Sequence, residues 1–301
     1  MKKIAGLLSF IFFGMLYCQK INTDQLTLFH TNDVKGELVG CGCRKGGGGI
    51  LQRAEFLSIQ REIYPNHILL DAGNFNLLPF RAQKQPSLIF DLYDQLGYDV
   101  VNMTPFDFAG NLDSTLKIIQ RTRARYISAS FLKNGKPLFE PYVILNRSIQ
   151  GKPKKIAVLG IFDDVKQECF GAISDNQLKL VPPDFVLTHY LEELKAKADY
   201  IILLSYNTPE GNDQLAKNNP GLLAIIGSGP QPGYSHEIEG RMVVQAHHIG
   251  KYLGIINYRF NADIPGEALA RMEAIDRDAK ESSQLLEFLE KKYPDWRLIN
   301  K

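Results

Sequence analysis

The chain has 301 residues, 45% hydrophobic and 23% charged, so it can bury a substantial core and does not read as disordered. Its 35 basic and 33 acidic side chains leave a formal charge of +2 with no long basic block, which excludes an electrostatic grip on nucleic acid. Beyond the N-terminus no segment is long and apolar enough to read as a membrane helix.

The first residues, MKKIAGLLSFIFFGMLYCQK, place Lys2 and Lys3 ahead of the apolar run Ile4–Leu16, which is short for a bilayer and reads as an export signal over 1–18. Cleavage after Cys18 leaves Gln19 first; cleavage before it gives a lipid-anchored protein, a route that bulky Tyr17 disfavours. The expected location is the bacterial periplasm or cell envelope, with 19–301 forming one domain. In such a compartment thiols tend to pair, and three remain in the mature chain: Cys41, Cys43 and Cys169.

Apolar runs predict strands at 26–33, 67–74, 98–104, 125–130, 141–146, 155–162, 199–206 and 222–228, most of them buried on both faces. Helical patterns lie between many of them, at 50–64, 87–97, 112–122 and 183–198, and this alternation predicts α/β layering. Segments 132–141 and 210–221, rich in Gly, Asn and Pro, read as loops. Residues 241–248 and 252–261, separated only by Ile249-Gly250-Lys251, read as an antiparallel return, and 265–292 as a helix-rich tail.

Motifs along this framework resemble those of the calcineurin-like metallophosphoesterases, specifically the N-terminal domain of the 5′-nucleotidase type. A strand followed by N-D-x-H-G stands here as HTNDVKGE, the Gly-Gly helix start as GGILQRAEF, and D-x-G-D as DAGN. The strand leading to G-N-H-E-F is GYDVVNMTPFDF, L-L-S-H is LLSY, I-I-G-G-H-x-H is IIGSGPQ, and the closing motif is VVQAHHIGKYLG. The resemblance implies a four-layer α/β/β/α sandwich of two mixed sheets, with two metal ions at the strand ends and phosphoester hydrolysis as the chemistry. It also implies a second, substrate-binding domain in the hydrolases, for which no counterpart is expected here.

Carried over position by position, the metal ligands are mostly gone. Asp33 is kept, but the histidine two residues on is Lys35 and the bridging aspartate is Asn74. The Asn-His pair falls on Pro105 and Phe106, with Asp107 keeping only the acidic type that follows. Tyr206 replaces another histidine, and the last two fall on Gly229 and Gln231. One carboxylate does not hold a two-metal cluster against water. The expected cofactor is therefore none, with a divalent metal required only by the alternative in which a rearranged site uses Asp33, Asp107, Tyr206 and His236. The Lys35 ammonium is expected to take the place of the lost metal charge beside Asp33, against the simpler reading in which Lys35 points to solvent and Asp33 caps a turn. The candidate cleft comprises Asp33, Lys35, Asn74, Asp107, Tyr206, Asn207 and Gln231, and the weak metal candidates are Asp33 and His236.

The stretch GCGCRKGGGG (40–49) adds to the motif. Gly48 and Gly49 match the helix-starting Gly-Gly, and with Arg44 and Lys45 they form a candidate anion-binding turn. Cys41 and Cys43 resemble an insertion carried by a divergent exported subgroup of the family. Four readings stay open for them: a reactive redox pair, a disulfide with Cys169, a soft-metal site completed by His247 and His248, or inert thiols. His30 reads as a core histidine, and His247 and His248 as alternating strand residues serving structure. The partner expected is a small molecule or an exported protein, not nucleic acid, and a membrane only if Cys18 is lipidated. A non-hydrolytic binding or accessory role leads, followed by an active hydrolase and then a thiol-based redox or metal-handling protein.

Overall fold

A computed structural model of the chain describes residues 24–40, 47–77, 81, 84–108, 111–163, 170–261 and 264–299. Residues 1–18, read from sequence as an export signal, and Cys41, Cys43, Arg44, Lys45 and Cys169 lie outside the described residues. Two six-stranded mixed sheets face one another, and a small three-stranded sheet sits beside them.

The first sheet is built from β1 (Gln25–Thr31), β2 (His67–Asp71), β3 (Val100–Asn102), β4 (Arg125–Ile127), β14 (Tyr252–Asn261) and β15 (Ile264–Ala274), in the order β15-β14-β1-β2-β3-β4. The second contains β7 (Tyr142–Ile149), β8 (Lys152–Phe162), β10 (Tyr200–Tyr206), β11 (Ala224–Ser228), β12 (Tyr234–Ile238) and β13 (Arg241–Gln245), in the order β12-β13-β11-β10-β8-β7. The third pairs β5 (Phe131–Lys133) with β6 (Lys136–Pro137) and β9 (Leu178–Leu180). In the first sheet β1 to β4 run parallel, as do β8, β10, β11 and β13 in the second, so both sheets deliver the same kind of strand end to one side of the molecule.

Strand alternation sorts the apolar side chains into layers. Leu26, Leu28, Ile68 and Leu70 of the first sheet meet Ile156, Val158, Ile202 and Leu204 of the second in the core between the sheets. The other face of the first sheet packs on α1 (Ile50–Ile63), α2 (Leu88–Leu96), α3 (Leu112–Ile119) and α7 (Ser283–Lys292). The other face of the second packs on α5 (Pro183–Lys197) and α6 (Pro209–Asn218), while the short α4 (Phe170–Asp175) lies next to β9. This is the α/β/β/α sandwich expected from sequence. His30 is buried at 1% exposure between the sheets with its ring against Gly254, and burial pulls its pKa down to about 3, as a neutral core histidine requires.

Four sequence expectations are corrected. Residues 210–221 are mostly helix, because Thr208 Oγ1 accepts from Gly211 N at 3.0 Å, Pro209 sits in the first turn, and Asn212, Leu215 and Ala216 form a buried face. The tail is not mainly helical: Ile264–Ala274 is a strand, since pairing with β14 outweighs its Ala- and Glu-rich helix propensity. Loop 132–141 contributes part of β5 and all of β6. Finally, β13 and β14 are not a hairpin. β13 pairs with β11 and β12, whereas β14 pairs with β1 and β15, so residues 246–251 cross from one sheet to the other.

Candidate functional site

The strand ends converge where β1 and β2 run out. Beyond them the backbone continues a ladder: Asp33 N donates to Gly73 O at 2.9 Å, Lys35 N to Asn74 O at 3.0 Å and Gly36 N to Phe75 O at 2.9 Å. Asp33, Lys35 and Asn74 all sit in the left-handed region, with φ of 49°, 54° and 59°. Three such residues in one place is a concentration of strained backbone of the kind that collects at binding sites. The second sheet is fastened to this point, because Ser228 Oγ donates to Gly73 O at 2.8 Å and Asn102 Nδ2 bridges Ala72 O and Ile161 O at 3.1 and 2.8 Å.

The crossover covers the same point. Asn32 Nδ2 donates to Ala246 O at 3.1 Å, Ala246 N donates back to Asn32 Oδ1 at 2.8 Å, and Ile249 N donates to Asp33 O at 2.8 Å. His247 and His248 therefore lie in a fixed loop over Asp33 instead of alternating along a strand. Gly233 N donates to His247 Nδ1 at 3.2 Å, while His248 is half-buried and its Nδ1 has no partner among the described residues. Burial lowers the His248 pKa, with Asp33 raising it and Lys35 lowering it in smaller measure.

Asp33 is fully buried, and both of its oxygens are engaged. Asn74 Nδ2 donates to Oδ1 at 2.5 Å, and the Lys35 ammonium lies 3.0 Å from Oδ2, off the angle of a good hydrogen bond but within ion-pair distance. Lys35 thus turns back onto Asp33 while its side chain keeps 39% exposure. Asn74 acts here as a donor, which is the opposite of what a ligand to a cation must do.

Asp107 sits behind Asn74 in a 3₁₀ turn, Pro105–Asp107, and serves the backbone. Its Oδ1 accepts from Phe75 N and Asn76 N, and its Oδ2 from Asn74 N, Thr104 N and Thr104 Oγ1, at 2.6 to 3.1 Å. All five partners donate, so the group is held as an acceptor even though burial pushes its pKa up to about 6. Asp71 has the same character: it accepts from Thr31 Oγ1, Tyr93 OH and Gly73 N, and burial pushes its pKa up to about 7. Its role is not legible from sequence, since the DAGN motif draws attention to Asn74.

The remaining candidates spread along the second sheet. The Tyr206 ring stacks on Phe162 at 5.4 Å and meets Phe106 at 5.6 Å, so packing accounts for it, while its carbonyl accepts from Asp163 N. Asn207 Oδ1 accepts from Thr208 N at 2.7 Å, at the start of α6. Gln231 lies close to Gly229, with its Oε1 buried and without a partner among the described residues. His236 is not brought to the site: it lies on β12, the edge strand, half-exposed with its ring 2.7 Å from Asp213 Oδ1. Gly48, Gly49 and Ile50 spend their N–H groups on Ile275 O, Gln52 Oε1 and Leu38 O. A Cβ on Gly49 would stand 2.4 Å from Leu38 O, so close chain approach explains the glycine, and the described part of this turn offers an anion little.

A two-metal centre does not fit this donor set. Its one surviving ligand carboxylate is paired with an ammonium and an amide N–H, Asp107 is saturated, and no group of three or more His, Cys, Asp or Glu side chains among the described residues is placed to hold an ion. No helix among the described residues is long and apolar enough to cross a membrane.

No family model matches the chain. It is 26% identical over 278 residues to a 5′-nucleotidase of Vibrio parahaemolyticus, an alignment covering 79% of this chain and 49% of that protein. The chain spans about half the length of the curated relatives it matches. Among solved structures, the calcineurin-like phosphoesterase YfkN of Bacillus subtilis superposes with a TM-score of 0.77 at 18% identity, covering 92% of this chain and 99% of that one. The 5′-nucleotidase precursor of Thermus thermophilus gives 0.72 at 19% identity, over 92% and 60%. The fold is that of the calcineurin-like phosphoesterases and 5′-nucleotidases, as the sequence motifs implied.

Proposed function

We propose that this chain, with its 5′-nucleotidase-like fold, is an exported protein that has given up metal-dependent phosphoester hydrolysis and works by binding, as a ligand carrier or as an accessory to another exported protein. The observation that carries this reading is the Lys35 ammonium at 3.0 Å from Asp33 Oδ2. A cation of the protein's own occupies the side of the carboxylate where a metal would have to bind, and the bridging position holds a donor, Asn74. The alternative of a rearranged hydrolytic site needs Asp33, Asp107, Tyr206 and His236 together, and their observed engagements argue against it.

The test is an assay of a chromogenic phosphomonoester with purified mature chain in added manganese. The expected result is no turnover above a protein-free blank. Turnover that disappears in Asp33→Asn would overturn the proposal.

A further inference from the structure

The edge of the first sheet carries an apolar side chain that its own fold leaves uncovered. β15 pairs with β14 on one side, and among the described residues no strand or backbone hydrogen bond meets its other side. Ala268 and Ala270 turn toward the core between the sheets, so Glu267, Leu269, Arg271 and Glu273 lie on the helix side. There Arg271 is fixed: its Nε donates to Glu273 Oε1 at 2.6 Å, its Nη2 donates to Tyr64 OH at 3.1 Å, and its guanidinium lies 5.6 Å from the centre of the Tyr64 ring. Leu269, two residues before it, is 58% exposed, and Ile59 and Ile63 of the neighbouring α1 are 49% and 56% exposed. Glu267 is exposed and makes no ion pair among the described residues.

An edge strand presents unpaired N–H and C=O groups, and charges on it ordinarily keep foreign strands away. The spacing of the charges on β15 admits one strand in particular. Residues 267–271 read Glu-Ala-Leu-Ala-Arg, so reversing the segment exchanges the acid and the base. Opposed residues of an antiparallel pair turn their backbone groups toward or away from each other together, so two identical strands pair about a two-fold axis through one residue. With the axis at Leu269, Glu267 of each copy faces Arg271 of the other and the two leucines meet. Moving the axis to Glu267 or Arg271 opposes like charges there, moving it to Ala270 sets Glu267 against Glu273, and moving it to Ala268 sets Glu267 against Leu269. Only the axis at Leu269 joins unlike charges and covers the exposed leucine. Pairing with β14 is regular from Ala268 to Ala274 and shifts before it, so Pro265, which has no N–H to give, stands outside the five residues concerned.

We propose that the β15 edge is an interface between two copies of this chain, joined antiparallel about Leu269 with Glu267 of each copy against Arg271 of the other. The first sheets of the two copies then run on as one. Since β1 and β15 are both antiparallel to β14, they run in the same direction, and the axis sends the strand ends of the two copies to opposite sides with both mouths open. The interface is thus independent of what the strand-end site binds. Five residues a side make a small contact, and a dissociation constant in the micromolar range is expected.

The experiment is sedimentation equilibrium of residues 19–301 at up to about 1 mM protein, with a reductant present so that no cysteine links the copies. Wild type is expected to dimerise. Glu267→Arg and Arg271→Glu each oppose like charges in both symmetry-related pairs and should each weaken the dimer about tenfold or more, while Glu287→Arg on the exposed face of α7 leaves it unchanged. A one-to-one mixture of the first two variants opposes unlike charges again and should associate about as tightly as wild type. If Arg271→Glu fails to fold for want of its Tyr64 and Glu273 contacts, Leu269→Lys takes its place, since two ammonium groups at the axis should also weaken the dimer about tenfold or more. A wild type that stays monomeric throughout, a dimer that Glu267→Arg weakens no more than Glu287→Arg does, or a mixture no tighter than its separate variants would overturn the proposal.

Discussion

Replacing Lys35 with Met removes the ammonium and keeps the stem, so it isolates the charge. At 3.0 Å and an effective dielectric of about 20, the pair attracts by about 5 kcal/mol. Water screens part of this, because the Lys35 side chain is 39% exposed, and about 2 kcal/mol is left as the expected loss. The loss does not vanish, because Asp33 itself is fully buried and would keep only the Asn74 amide. For a chain of this size about 2 kcal/mol lowers Tm by about 3 °C. Adding Asp33→Asn should restore most of the loss, because it removes the buried charge that the ammonium offsets. Thermal unfolding of both variants followed by circular dichroism checks this. A Tm equal to wild type in Lys35→Met would refute the claim that the ammonium neutralises a buried carboxylate.

Other expectations follow from the same geometry. Asp107→Asn puts an amide NH₂ where one oxygen faces only donors, breaking at least two of its five contacts; a loss of about 3 kcal/mol in denaturant unfolding is expected, against little for exposed Asp113→Asn. Asp71 has its pKa raised from 3.8 to about 7, so the stability it contributes is fully present below about pH 4 and is lost as pH rises through 7. Wild type should therefore lose about 4 kcal/mol relative to Asp71→Asn between pH 4 and pH 8, read from urea midpoints at each pH. Asn74→Asp sets a second carboxylate against Asp33 and should lower Tm more at pH 8 than at pH 5. Gly49→Ala drives a Cβ to 2.4 Å from Leu38 O and should cost at least about 2 kcal/mol, measured the same way.

Much of the fold is legible because the central strands are uninterrupted apolar runs whose meaning is local. Runs at 155–162 and 199–206 need no partner to be recognised, and both are strands of the second sheet. Errors arise where a distant partner decides the outcome. The helix Pro209–Asn218 hides behind Gly and Asn, and its signals are the Thr208 cap and the spacing of Asn212, Leu215 and Ala216. Strand Ile264–Ala274 is made of good helix formers and becomes a strand through its register with β14. The three residues between the 241–248 and 252–261 runs resemble a hairpin turn, and only the assignment of β13 and β14 to different sheets reveals a crossover.

The site divides along the same line. Asp33 and Lys35 are two apart in sequence, so their pairing can be anticipated and the structure brings them together. Asp107 matches the motif in type and so reads as a cleft residue, but its donors at 74–76 lie more than thirty positions away, and they turn it into a backbone clamp. His248 reads from sequence as a structural strand residue. Its place over Asp33 follows from the crossover, which no local pattern announces.

The central claim is that the strand-end pocket rejects divalent cations because Lys35 and the Asn74 amide already satisfy Asp33. Elemental analysis of residues 19–301, after saturation with manganese and removal of free ion, tests it most directly, since manganese prefers oxygen and nitrogen donors to the sulfur of Cys41 and Cys43. The account predicts only trace manganese, unchanged by Asp33→Asn. A stoichiometric pair of ions per chain, lost in that variant, would contradict it.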